Sequence, residues 1–246
     1  MKSYKNALAF LACAFAASVS SASTIDVKFD ANIFEGSGYD NVTIKAANLG
    51  SVDVSAGRFQ GSASNLVNVS SSIFVDGLNN LFMYCYDIYQ EISGGISVKY
   101  TINQTGETAR TLDFLGAVNK VMNTGKSVYD PFAWLHPVNG AQGAAIQIGI
   151  WESKYENGTQ WDLNSGSFKA SNLDDATTAW WNSFKDEIDH SDALDGRYVM
   201  VLENSTYQDM IVGDPPVLPE PGSLALIALA LGGLVVTQRK TAQRVF

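Results

Sequence analysis

Cysteine is nearly absent from this 246-residue chain, which has only Cys13 and Cys85. Histidine is as scarce, with only His136 and His190. A scaffold stapled by disulfides needs more paired cysteines than this, and a zinc centre needs a Cys/His spacing that the chain does not contain. No glycine-rich loop of the phosphate-cradling type occurs, no basic patch occurs, and no internal repeat is visible. Charged residues make up only 17% of the chain, and the formal net charge is −9. An acidic balance of that size argues against nucleic acid or an anionic membrane surface as a partner.

What is present is concentrated first at the two ends. Lys2 and Lys5 precede an apolar stretch over 7–19, and Ser20-Ser21-Ala22 supplies small residues for a cut. That layout is a secretory signal peptide, 1–22, and Cys13 leaves with it. Phe10-Leu11-Ala12-Cys13 is a poor lipoprotein box, so no lipid anchor is expected. The other end reads Leu218-Pro219-Glu220-Pro221, an apolar run over 222–236, then Gln238-Arg239-Lys240 and Arg244. The prolines fix φ and remove donors, leaving the chain extended where a processing enzyme can reach it. An uncharged helix apolar on all sides belongs in lipid, and the basic end stays cytoplasmic.

This order, over 217–244, resembles the PEP-CTERM sorting signal of Gram-negative bacteria that secrete exopolysaccharide. The resemblance implies recognition by an exosortase-type enzyme through Pro219, Glu220, Pro221, Arg239 and Lys240. It further implies transient residence in the inner membrane as a transmembrane sorting helix, then delivery to the cell surface or extracellular matrix. A permanent membrane anchor is the competing reading, although the run is short for a spanning helix of about 20 residues.

Between the ends, 23–216 is long enough for one sizeable core. Thr24-Ile25-Asp26-Val27-Lys28-Phe29 alternates as a strand, as do Val42-Thr43-Ile44-Lys45 and Val52-Asp53-Val54. Further strands are predicted over 66–75, 81–89 and 96–102. The period then changes, and helices are predicted over 111–122 and 141–155, with a third starting at Asp174-Asp175. Strands at 197–202 and 207–212 close the ectodomain. The expected class is α+β, mainly β. Five Asn-x-Ser/Thr triplets, at Asn41, Asn68, Asn103, Asn157 and Asn204, read as composition in a chain with bacterial signals.

After processing, Cys85 is alone, in the aromatic stretch Met83-Tyr84-Cys85-Tyr86-Asp87. Some sixty residues on, Ile146-Gln147-Ile148-Gly149-Ile150-Trp151-Glu152 sets one Gln in an otherwise apolar helix. At these residues the chain resembles the thioester domains of bacterial surface proteins, which pair an aromatic-Cys-apolar-acidic strand with a helix carrying apolar-Gln-x-x-apolar-Trp. The resemblance implies thioester-domain-like sheets with a helical segment, and an internal thioester joining Cys85 to Gln147. Tyr84, Tyr86 and Trp151 would wall a dry pocket, and Asp87 or Glu152 would carry protons. Such a bond acylates an amine or hydroxyl on a surface or matrix partner, possible partners including exopolysaccharide. The protein is then consumed, so it is not an enzyme, and no cofactor or metal is implied.

Other readings stay open on the residues alone. Cys85 also reads as a small buried hydrophobe, in a non-covalent structural or carbohydrate-associating matrix protein. It could join a second chain by a disulfide, or pair with His136 or His190 as a nucleophile. The acidic run Asp186, Glu187, Asp189, Asp192, Asp195 has oxygen ligands but not the spacing of a calcium loop. Adjacent Trp180 and Trp181 cannot both face the core of one helix.

Overall fold

The computed structural model describes residues 22–69 and 73–214. The expected signal peptide up to residue 21, with Cys13, and the expected sorting tail, 217–244, lie outside the described residues. Among the described residues no helix is long and apolar enough to cross a membrane.

Alternation builds the first strand, β1 (Thr24–Phe29), which turns Ile25, Val27 and Phe29 inward and Thr24, Asp26 and Lys28 outward. It is flanked by β4 (Phe59–Val67) and β6 (Ser97–Asn103). Together with β5 (Leu81–Cys85), β8 (Val199–Glu203) and β9 (Met210–Gly213) these close a barrel in the order β1-β4-β5-β9-β8-β6, antiparallel throughout. The register assigns one continuous interior: Val27 faces Val98 and Ala63, Phe59 faces Met83, Cys85 faces Met210, and Leu202 faces Ile102. Cys85 therefore sits on the interior side at the last position of β5. Tyr84 and Ile211 turn the other way and are buried as well.

A second sheet, β3-β2-β7, is formed by β2 (Tyr39–Ala46), β3 (Leu49–Gly57) and the short β7 (Lys169–Ser171). Three α-helices complete the fold among the described residues. α1 (Ala109–Met122) starts at Thr108, whose side chain accepts from Thr111 N–H. α2 (Gly140–Tyr155) starts at Asn139, which accepts from Gln142 N–H. α3 (Asp175–Glu187) starts at Asp174, which accepts from Thr177 N–H. Each cap satisfies a donor that the first helical turn leaves free. α2 is buried from Gln142 to Ser153, as a helix apolar on every side must be. It lies against β2, β3, α1 and α3. Gly149 faces the Phe114 ring of α1, and a methyl group there would overlap it. On α3, Trp181 is buried, whereas Trp180 stays half-exposed and stacks on Phe184.

The fold is mixed helix and strand, mainly sheet. Two sequence expectations are corrected, and one strand was not foreseen. The strand expected over 66–75 runs instead over Phe59–Val67, and 73–76 is a turn. Its centre, Gly61-Ser62-Ala63-Ser64-Asn65, carries no β-branched residue, yet smallness is required: a Cβ on Gly61 would strike the main-chain carbonyl of Lys28. β7 gave no sequence signal. The strand expected over 81–89 stops at Cys85, and a loop follows.

Candidate functional site at Cys85

The ladder between β5 and β9 continues past Cys85, where Tyr86 N–H donates to the Asp209 carbonyl at 2.7 Å. Gln208 lies two places before Met210, the residue opposite Cys85. A strand's period of two therefore aims Gln208 to the side that Cys85 occupies. The thiol of Cys85 donates to Gln208 Oε1 at 3.0 Å. Gln208 Nε2 donates to the Asp87 carbonyl at 3.1 Å, and the Gln208 main-chain carbonyl accepts from Tyr100 Oη at 3.0 Å. Asn204 shapes the loop before it, accepting from Thr206 N–H at 2.8 Å and Tyr207 N–H at 2.9 Å. Both ends of the Gln208 side chain are thus oriented by fixed partners. With a C=O bond of about 1.23 Å, the carboxamide carbon lies within about 4.2 Å of Sγ.

Gln147 meets the same cysteine differently. Its Oε1 accepts from Cys85 N–H at 2.8 Å, and its Nε2 donates to the Cys85 carbonyl at 2.8 Å. The reason lies in the sheet. β4 pairs with β5 only as far as Phe59 opposite Met83, and then the chain departs towards β3. An antiparallel neighbour would next have exchanged two hydrogen bonds with Cys85. The carboxamide of Gln147, chemically a peptide group, takes that place and pairs both the N–H and the C=O of Cys85. Gln147 itself is fully buried.

Cys85 opens on a cleft of about 440 Å³ lined by Gln208, Trp151, Ile88, Tyr89 and Gln90, and by β3. Burial, and secondarily the Asp87 charge, push the Cys85 thiol well above its ordinary pKa. It is therefore a protonated donor at neutral pH, as its bond to Gln208 requires.

The other expected site residues divide. Trp151 walls the cleft, one turn beyond Gln147 and about 40° around the helix. Asp87 holds Gln208 by its carbonyl, while its carboxylate accepts from Tyr89 N–H at 2.7 Å and Tyr155 Oη at 3.3 Å. Tyr84 and Tyr86 do not line the cleft. Tyr84 stacks on Trp134 and donates to its carbonyl at 3.2 Å; Tyr86 Oη accepts from Thr108 N–H at 3.0 Å. Glu152 is not at the site either. Five residues turn a helix through about 140° from Gln147, and Glu152 accordingly faces Arg110 at 3.6 Å and accepts from Asp162 N–H at 3.3 Å. Burial, offset by those two partners, raises its carboxyl to about 8.

Sequence reasoning did not single out Gln208. Its signal is Tyr207-Gln208-Asp209 directly before the apolar Met210-Ile211-Val212, a polar amide at the mouth of a buried strand. The histidines are engaged elsewhere, His136 with Asp76 at 3.1 Å and His190 with the Asp186 carbonyl at 3.0 Å. Among the described residues no group of three or more His, Cys, Asp or Glu could hold a metal ion. No family model, curated protein or solved structure matches the chain. The function must be argued from the site.

Proposed function

We propose that this is an exported surface or matrix protein whose ectodomain, of thioester-domain type, forms an internal thioester and uses it for covalent attachment. The acyl donor in this reading is Gln208, and Gln147 is the positioning residue. The observation that carries it is the 3.0 Å contact from Cys85 Sγ to Gln208 Oε1. Attack needs the sulfur at the carbonyl carbon, at roughly 3–3.5 Å, and a small rotation of the Gln208 side chain separates the observed contact from that geometry. Gln147 by contrast has both polar atoms committed to the Cys85 main chain.

The chemistry balances without a co-reactant. Sγ bonds to the Gln208 carboxamide carbon, the C–N bond breaks, and the thiol proton leaves with the nitrogen as ammonia. Burial keeps the thiol protonated until attack, and the S–H···O=C contact polarises the carbonyl as it holds the proton near the departing group. An incoming amine or hydroxyl then attacks the same carbon, the C–S bond breaks, and Cys85 regains its proton. Sorting through the PEP-CTERM-like tail, by an exosortase-type enzyme at the inner membrane, would deliver the protein to the Gram-negative envelope surface or exopolysaccharide matrix.

A second reading, a non-covalent structural or carbohydrate-associating matrix protein with inert Cys85, draws on the burial of the thiol. Intact mass of the purified mature protein separates the two. The thioester form is lighter than the sequence by one ammonia, and Cys85→Ala and Gln208→Ala each restore the full mass. A wild type of full mass with a titratable thiol would sink the thioester.

A further inference from the structure

A closed barrel has no edges, so every free strand edge among the described residues belongs to the sheet β3-β2-β7. Its two edges differ. β7 is three residues long and starts with Lys169, two devices that discourage strand addition. β3 is nine residues long, Leu49–Gly57, and carries neither proline nor lysine. Its main chain pairs with β2 alone, and among the described residues no other hydrogen bond reaches it.

That edge runs along the reactive cleft. Val52, Asp53, Val54 and Ser55 all line it together with Cys85 and Gln208. Successive strand residues point to opposite faces, so a cavity touched by four in a row follows the strand's edge rather than one face. The outer rim is apolar, with Val52 and Tyr89 both exposed, and its only charged lining groups are the carboxylates Asp53 and Glu91. Such a lining favours a cationic occupant with an extended main chain.

We propose, resting on the thioester reading, that the attachment partner is a polypeptide that docks as an added strand on the free edge of β3. Main-chain hydrogen bonds to β3 supply affinity, as in other strand-addition complexes. A strand laid about 4.8 Å outside β3 sends alternate side chains into the cleft, where one bearing an amine passes Glu91 to reach the acyl carbon. Asp53, which accepts from Thr43 Oγ1 at 2.6 Å on the other face of the sheet, adds negative charge at the rim.

The test uses a lysine-bearing peptide of alternating Thr and Val, its twin N-methylated at alternate amides, an amino-sugar oligomer and methylamine. Docking is read first on Cys85→Ala protein, by amide exchange of residues 49–57. Alternate β3 amides should slow at least tenfold with the peptide and not with the N-methylated twin. On wild type, adduct formation by intact mass should be at least tenfold faster with the peptide than with methylamine, and the twin should fall back to the methylamine rate. Unchanged β3 exchange, equal rates for peptide and twin, or a faster amino-sugar oligomer each overturns strand docking. A wild type with no ammonia deficit sinks the thioester alone, because the exchange measurement does not need it.

Discussion

Helix α2 and the loop between β8 and β9 each deliver one glutamine carboxamide to Cys85, and the two perform opposite tasks. Gln147 replaces a missing strand: both of its polar atoms are tied to the Cys85 main chain at 2.8 Å. Gln208 faces the sulfur, with Oε1 at Sγ and Nε2 on a carbonyl that orients it. A carboxamide held by two short bonds to main chain stabilises the fold. One that shares its oxygen with a thiol is, in the function proposed above, the acyl donor. The difference arises where β4 leaves β5, not in the chemistry of either side chain.

The comparison breaks most sharply at Gln147. Replacing it with Ala leaves the buried N–H and C=O of Cys85 unpaired and opens a void, so a loss of about 2–5 kcal/mol is expected in denaturant unfolding. An unfolding midpoint equal to wild type would show that the helix does not close the sheet. Gly149→Ala probes the seating of the same helix. The added methyl meets the Phe114 ring, and overpacking of this kind costs about 1–3 kcal/mol. Unfolding at the wild-type midpoint would mean that α1 and α2 are free to separate.

Glu152 sharpens the contrast on α2 itself. Gln147 is fully satisfied, whereas Glu152 is buried with Oε2 unpartnered. Burial raises the Glu152 carboxyl from 4.5 to about 8. The folded state therefore holds a proton that the unfolded state releases. Its contribution is fully present below about pH 4.5 and is lost as pH rises to about 8, beyond which it is flat. Glu152→Gln should remove that fall, on the order of 1–3 kcal/mol across the window. Parallel stability profiles for variant and wild type between pH 5 and pH 8, as round bounds within that window, would contradict it. The smallest stability effect is expected at Gln208→Ala on a Cys85→Ala background, where no cross-link can form, within about 1 kcal/mol because the side chain is half-buried. A loss as large as that of Gln147→Ala would erase the division of labour.

β1 was legible to the residue, because Ile25, Val27 and Phe29 alternate with polar partners. α2 was legible within one residue, because its apolar positions repeat at helical spacing. β4 was not, since a strand chosen for close main-chain approach at Gly61 is small and polar and reads as a turn. At the site, Cys85, Trp151 and the helix glutamine were readable from their neighbours. Which glutamine meets sulfur was not, because that depends on strand register far along the chain. Glu152 misled through sequence adjacency: one residue past Trp151 is about 100° further around a helix, and there it meets Arg110 instead of the cleft.

Peptide mapping of the purified mature protein, digested at acid pH with thiols blocked and without reductant, tests the central claim most directly. The account predicts a linked pair of fragments, one containing Cys85 and the other Gln208, short by one ammonia. A link from Cys85 to the Gln147 fragment, or an unlinked Cys85 fragment carrying the blocking group in every molecule, would contradict it.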